Sequence, residues 1–344
     1  MFDRPTVIIV GAGGSAEYGL PTGVKIFSDL LNEPHQHRRE GYNSYTDTFR
    51  YGFLNFLRFN NLQNYESAFK DLLNRAQNSI AESIDLFAYH NEDVLEVSKI
   101  YSTWRIFSGM HSRANARGID SSPKQLSLTH NWRLPRLSNK ATWLSYVARK
   151  YVEGCDRTED IGRNQLKIVT FNYDTLIEDG LRELIKSQKR YSDIEEAHLP
   201  KVYHVYGKFP ELSTLLSPDS ISVASQAIKY MHEIENPSHP EDNIELNSII
   251  RHVKNAEIIY IAGFDMSEKN VQILGLPDAG AQKFAINYDG HPGLKHRLLS
   301  AGLNEDGILC GTQQSPLALS DACANGFFDL APANSRSFWD TESL

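Results

Sequence analysis

The residues best equipped for chemistry fall in four short runs. The first is Val7-Ile8-Ile9-Val10-Gly11-Ala12-Gly13-Gly14-Ser15, continuing through Glu17-Tyr18-Gly19-Leu20-Pro21-Thr22-Gly23. Its four β-branched residues predict a buried strand, and the glycines after it let the backbone turn sharply and come close to a ligand. A helix beginning near Pro21 would bring free backbone N–H groups and a positive dipole end to the same turn, a combination that favours a pyrophosphate. Gly11, Gly13 and Ala16 also fit the dinucleotide fingerprint with its permitted terminal Ala. A plain tight turn at the edge of an α/β sheet would use the same glycines.

The other three runs close apolar strands, at the carboxyl edge where open α/β sheets bind ligands. In Thr170-Phe171-Asn172-Tyr173-Asp174, Asn172 offers a donor and an acceptor to a sugar hydroxyl or a water, and Asp174 can orient a neighbour or cap the following helix. An N-cap turn accounts for these five residues equally well. In Tyr203-His204-Val205-Tyr206-Gly207-Lys208, strand alternation predicts His204 and Tyr206 on one face, with Gly207 bending the backbone beside a pocket. Imidazole titrates near neutrality, so His204 is the general-base candidate, against the plainer alternative of a structural histidine. In Ile261-Ala262-Gly263-Phe264-Asp265-Met266-Ser267-Glu268-Lys269-Asn270, Gly263 permits another close approach and Ser267 is placed to cap a helix. A nicotinamide dehydrogenase needs an acid at the end of a second strand about 20 residues after the glycines. Asp29 and Glu33 lie on or just after the first helix instead, which argues against hydride transfer.

The elements that must hold these runs follow from periodicity. Thr6–Val10 reads as a strand and Pro21–Leu31 as a helix; residues 35–162 read as amphipathic helices, marked by Phe49, Phe53, Phe56, Leu57, Ile84, Phe87, Val94 and Val97. A polar loop is expected over Ala114–Trp132, at Gly118, Ser121-Ser122-Pro123 and Asn131. Strand character returns at Leu166–Phe171, Val202–Tyr206, Glu257–Ala262 and Phe284–Asn287. The expected class is α/β: a Rossmann-like, mainly parallel sheet with helices on both faces and a large helical insertion. Residues 1–34 and 163–300 form the α/β domain in this reading, 35–162 the insertion, and 301–344 a C-terminal segment without a clear element.

Composition narrows the functional classes. The 344 residues carry 43 acidic and 35 basic side chains, a formal charge of −8, with no basic footprint for direct DNA binding. Cys155, Cys310 and Cys323 form no C-x-x-C pair, so neither a disulfide framework nor a zinc module is expected, and a reducing cytoplasm fits. His35 and His37 fall in a loop, and no histidine joins a metal-like cluster. No export signal or membrane span is read.

Taken in order, Gly11-Ala12-Gly13-Gly14-Ser15, Gly19-Leu20-Pro21-Thr22-Gly23, Ser83-Ile84-Asp85-Leu86-Phe87, Thr170–Asp174, His204-Val205-Tyr206-Gly207 and Gly263-Phe264-Asp265 with Asn270 resemble the sirtuin-like superfamily. The resemblance is specifically to its bacterial branch of NAD-cleaving antiphage defence proteins. It covers roughly residues 6 to 290 and implies NAD as substrate, with no metal. Gly11, Ala12, Gly13 and Ser15 would then line the phosphates and ribose, and Tyr18, Pro21, Thr22, Tyr206, Gly207, Gly263, Phe264 and Asn270 would complete the NAD site. Asn172 and Asp174 would hold the nicotinamide riboside, and His204 or its neighbour would assist as base. The implied reaction hydrolyses the nicotinamide N-glycosidic bond to nicotinamide and ADP-ribose. Such a toxic activity implies control through a homo-oligomer or a partner defence subunit, an ATPase or a nucleotide-processing protein. Two departures stand out. Protein-deacylating sirtuins carry Asp, Phe and Arg after the loop proline and usually a four-cysteine zinc module, whereas Thr22-Gly23-Val24 follows Pro21 here. The family histidine directly precedes the glycine, where this chain has Tyr206. A non-catalytic NAD or ADP-ribose sensor or scaffold is the alternative, with an NAD-dependent protein deacylase behind it.

Overall fold

Six short strands, β1 Thr6–Val10, β2 Leu166–Thr170, β3 Lys201–His204, β4 Ile258–Ala262, β5 Gln282–Asn287 and β6 Ile308–Cys310, form one sheet in the order β3-β2-β1-β4-β5-β6. Every ladder is parallel. This computed structural model describes residues 1–31, 49–114, 142–210, 220–235, 242–287, 292–310 and 318–330. Glu33, His35, His37 and the expected turn residues Gly118, Ser121, Ser122, Pro123 and Asn131 lie outside them.

A parallel strand covered on both faces must be apolar throughout, which is why β1 reads Val-Ile-Ile-Val after Thr6 and is buried along its length. Alternate side chains feed two cores. Val7, Ile9, Val169, Ile259 and Ile261 face one, and Ile8, Val10, Ile168 and Tyr260 face the other. The first face is covered by helices Gly23–Leu31, Phe49–Phe59, Glu66–Ala76, Ile84–Tyr89 and Leu95–Ala114. Phe53 knits these together, its ring centroid 4.7 Å from Phe69, 5.1 Å from Tyr101 and 5.4 Å from Trp104. Helices Trp143–Val152, Leu176–Lys186 and Leu319–Ala324 cover the second face. The helical stretch before β2 thus supplies both faces of the sheet.

Three expectations about elements are corrected. The first helix is not the one near Pro21: the chain turns straight into Ala12–Ala16 after Gly11, and the next helix is Gly23–Leu31. The third strand stops at His204 rather than Tyr206. The C-terminal segment, read as without a clear element, contributes β6, a helix and two 3₁₀ turns, with Leu319, Ala322, Cys323, Phe327 and Phe328 buried. Elements of three to six residues are too short to leave a periodic signal.

Register decides what sits above the sheet. Val10 lies opposite both Thr170 and Ala262, so β1, β2 and β4 end level and the chain leaves them at Gly11, Phe171 and Gly263. The Gly13 N–H donates to the Gly263 carbonyl at 2.9 Å. A Cβ on Gly11 would lie 2.5 Å from the Gly263 oxygen, and one on Gly263 would lie 2.6 Å from the Gly14 nitrogen. Gly263 also has φ +57°, a conformation that L side chains adopt at a cost. Glycine is needed here so that two backbones can touch. Gly263→Ala should therefore lower folding stability by more than ~3 kcal/mol. Gly275→Ala, at φ +62° with no atom within 4 Å of the added Cβ, should lose only ~1 kcal/mol in the same urea titration.

Candidate functional site

Strand order reverses between β1 and β4, the switch point at which doubly wound sheets open a crevice above their carboxyl ends. A cavity of about 670 Å³ occupies it, within the range of small-molecule sites. Its walls are the turn and helix after β1, the ends of β2 and β4, Tyr206 beyond β3, and the start of helix Ile84–Tyr89.

Asn172 organises the base of this cavity. Thr170 Oγ1 accepts from the Asn172 backbone N–H at 3.1 Å, and the Asn172 Nδ2 donates to Ser15 Oγ at 2.8 Å and to the Gly11 carbonyl at 3.2 Å. These bonds fix the amide and leave Oδ1 buried with no hydrogen-bond partner among the described residues. An unmet buried acceptor is costly unless a ligand donor satisfies it. Ser15 Oγ in turn donates to Asp174, 3.3 and 3.2 Å from its two oxygens, and Asp174 Oδ1 accepts from the Leu176 N–H at 3.1 Å. Asp174 therefore ties the first N–H of helix Leu176–Lys186 to the glycine turn.

His204 stands behind this arrangement. Its Nδ1 lies 2.8 Å from the Asn172 carbonyl oxygen and its Nε2 lies 2.8 Å from Glu178 Oε1. Burial pushes the Glu178 carboxyl up, but the hydrogen bond and charge of His204 outweigh it, and the net shift is downward. Both ring nitrogens are thus engaged, one by the backbone of Asn172 and one by Glu178, and neither lies on the cavity wall.

Aromatic rings form another wall. Phe171 stacks on Phe264 with centroids 4.6 Å apart, and Tyr206 meets Phe171 edge-on at 5.4 Å. The Tyr206 hydroxyl donates to Asn270 Oδ1. Glu17, Asp85, Asp174 and Asp265 line the cavity, and no Lys or Arg does among the described residues. Tyr173 Oη donates to Asp85 Oδ1 at 3.0 Å. Burial, opposed by that hydrogen bond and reinforced by the Asp265 charge, pushes the Asp85 carboxyl up to about 6. Burial likewise pushes Asp174 up to about 6, against the opposing bond from the Leu176 N–H.

Of the residues expected at the site, Gly11, Ala12, Gly13, Ser15, Pro21, Thr22, Asn172, Asp174, Tyr206, Gly263, Phe264 and Asn270 line the cavity. Three do not. The turn after Ala12–Ala16 packs Tyr18 into the second core. His204 contacts helix Leu176–Lys186 on that same side, while Tyr206, past the strand end, swings into the first core, so the two do not share a face. Gly207, at φ +73°, bridges to Ile228, and a Cβ there would lie 2.4 Å from the Ala227 oxygen. The Gly13 N–H is taken by Gly263, which leaves it no role with a phosphate. Asp29 is buried in an ion pair with Arg105 and does not line the cavity. Asp85, Tyr173, Ser102 and Leu319 were not expected to line the cavity. Only the Ser83–Phe87 motif hinted at the first of these.

No family model matches this chain, and no curated protein matches it in sequence. Among solved structures, it is similar to a triple mutant of a Sir2 homologue in complex with 2′-O-acetyl ADP ribose, at 14% identity and a TM-score of 0.38, over 96% of this chain and 94% of that one. It is also similar to a histidine-to-asparagine mutant of a Sir2 homologue in complex with ADP ribose, at 16% identity and a TM-score of 0.37, over 94% and 92% of the two chains. Likeness this distant transfers neither a residue role nor a ligand.

The two raised carboxyls make stability depend on pH. Each binds its proton more tightly in the folded chain, so its contribution is fully present below about pH 4 and is lost as pH rises through about 6. A shift of this size corresponds to on the order of 3 kcal/mol per group by neutral pH. Asp85→Asn, which keeps an acceptor for Tyr173 without the charge, should raise the Tm relative to the unaltered chain at about pH 8 and change it little at about pH 4.5. Thermal melts at both pH values check this, and an equal effect at each would contradict it.

Proposed function

We propose that this chain is an NAD hydrolase that cleaves the nicotinamide N-glycosidic bond to give nicotinamide and ADP-ribose. The observation that carries the reading is the buried, unpartnered Asn172 Oδ1 on a cavity wall at the switch point of a parallel sheet. An acceptor held at that place suits a ribose hydroxyl, and its fixed amide orients the sugar for attack. Further support comes from the cavity's charge. Four carboxyl side chains and no described cation suit a reaction in which positive charge builds on the ribose C1′ as the bond to nicotinamide breaks. The aromatic wall of Phe171, Phe264 and Tyr206 offers flat apolar surface to a ring.

In this reading His204 is a positioning residue. It fixes the backbone carbonyl of Asn172 and is itself held by Glu178. The motif order further supports a regulated, NAD-depleting effector of antiphage defence, controlled through self-assembly or a partner subunit. A second reading, an NAD or ADP-ribose sensor that does not cut, is favoured by one observation: Tyr206 stands where the family histidine is expected, and His204 does not reach the cavity.

Purified protein incubated with NAD should release nicotinamide, and Asn172→Ala should reduce the rate by roughly 10²–10³-fold. Unchanged turnover in Asn172→Ala would contradict the reading. ADP-ribose binding without any nicotinamide release would favour the sensor.

A further inference from the structure

We infer that Asp85 is the catalytic base that takes the proton from the attacking water. The inference rests on the hydrolase reading above. Ser83 caps helix Ile84–Tyr89 by accepting from the Leu86 N–H at 3.3 Å, which sets Asp85 in the first turn, on the cavity wall. One of its oxygens accepts from Tyr173, the residue next to Asn172 in the chain, so base and sugar-binding amide are held by adjacent positions of the β2 end. The other, Oδ2, faces Gly23, where an added Cβ would come within 2.9 Å. Asp85 accepts a side-chain donor on one oxygen, whereas both oxygens of Asp174 and both of Glu17 accept hydrogen bonds. Asp174 accepts from Ser15 and the Leu176 N–H, both oxygens of Glu17 accept from Ser320, and Asp265 accepts from the Ser267 N–H.

The step balances within the cavity. The C1′–N bond breaks and its electron pair leaves on the nicotinamide nitrogen, which becomes neutral. The water oxygen bonds to C1′, and its proton passes to the Asp85 carboxylate and then to solvent. The titratable groups around Asp85 are Tyr173, Tyr230 and Asp265, with no cation among the described lining residues. Burial and the Asp265 charge place the carboxyl at about 6, a strength matched to proton transfer near neutrality.

The test is nicotinamide release against pH for the unaltered chain, Asp85→Asn and Tyr173→Phe, with ADP-ribose affinity measured on each. The unaltered rate should rise through about pH 6 to a plateau. Asp85→Asn should keep its ADP-ribose affinity, lose at least ~10²-fold of the plateau and lose the rising limb. Tyr173→Phe removes the donor that lowers Asp85, so its limb should move to higher pH while its plateau stays within a few-fold. A full rate in Asp85→Asn overturns the assignment, and so does an unmoved limb in Tyr173→Phe, since Asp174 would then be the group that titrates. If Asp85→Asn does not fold, Tyr173→Phe decides alone. Absence of nicotinamide release from the unaltered chain overturns the hydrolase reading itself, and the base with it.

Discussion

Backbone against backbone, Gly13 on Gly263, is the contact on which the rest of the molecule depends. Strands β1 and β4 are neighbours that end level, and both chains must leave the sheet in the same small space. Side chains at Gly11, Gly13 or Gly263 would force those exits apart. With no side chain there, the two turns close together and the crevice at the strand-order reversal takes its shape. Ser15 and Gly11 then lie within reach of Asn172, and the site assembles on the sheet rather than on a loop.

Around that contact the protein concentrates unfavourable electrostatics. Asp85 and Asp174 are carboxyls that burial holds closer to neutrality than water would, and Asn172 keeps an amide oxygen without a partner. Each of these costs folding free energy. Groups of this kind are retained where a ligand or a reaction uses them. The His204–Glu178 pair is different, because the two side chains are hydrogen-bonded to one another and His204 also meets the backbone carbonyl of Asn172.

Much of this was legible in the residues. Runs such as Val7–Val10 and Ile258–Ala262 are apolar throughout because both faces of a parallel strand are buried, and that pattern needs no tertiary information. The glycine turn was legible as a close approach, but not what approaches. Clearance for a ligand and contact with a backbone some 250 residues away leave the same glycines. Alternation puts His204 and Tyr206 on one face only while the strand lasts, and the strand stops at His204, so the two part. The absence of a ribose-binding acid about 20 residues after the glycines was legible, because Asp29 lies on the first long helix. The second strand begins only at Leu166, and its end carries Asn172 instead. Asp85 falls in the Ser83–Phe87 motif, but its chemistry is not legible there, since it comes from burial in the fold and from contact with Tyr173, 88 positions away.

The most direct test of the central claim is a high-resolution structure of the chain with ADP-ribose bound. A ribose hydroxyl should lie ~2.7–3.2 Å from Asn172 Oδ1, with the ligand seated between the Gly11 and Gly263 turns. ADP-ribose bound elsewhere, or bound there with Asn172 Oδ1 still unpartnered, would contradict it.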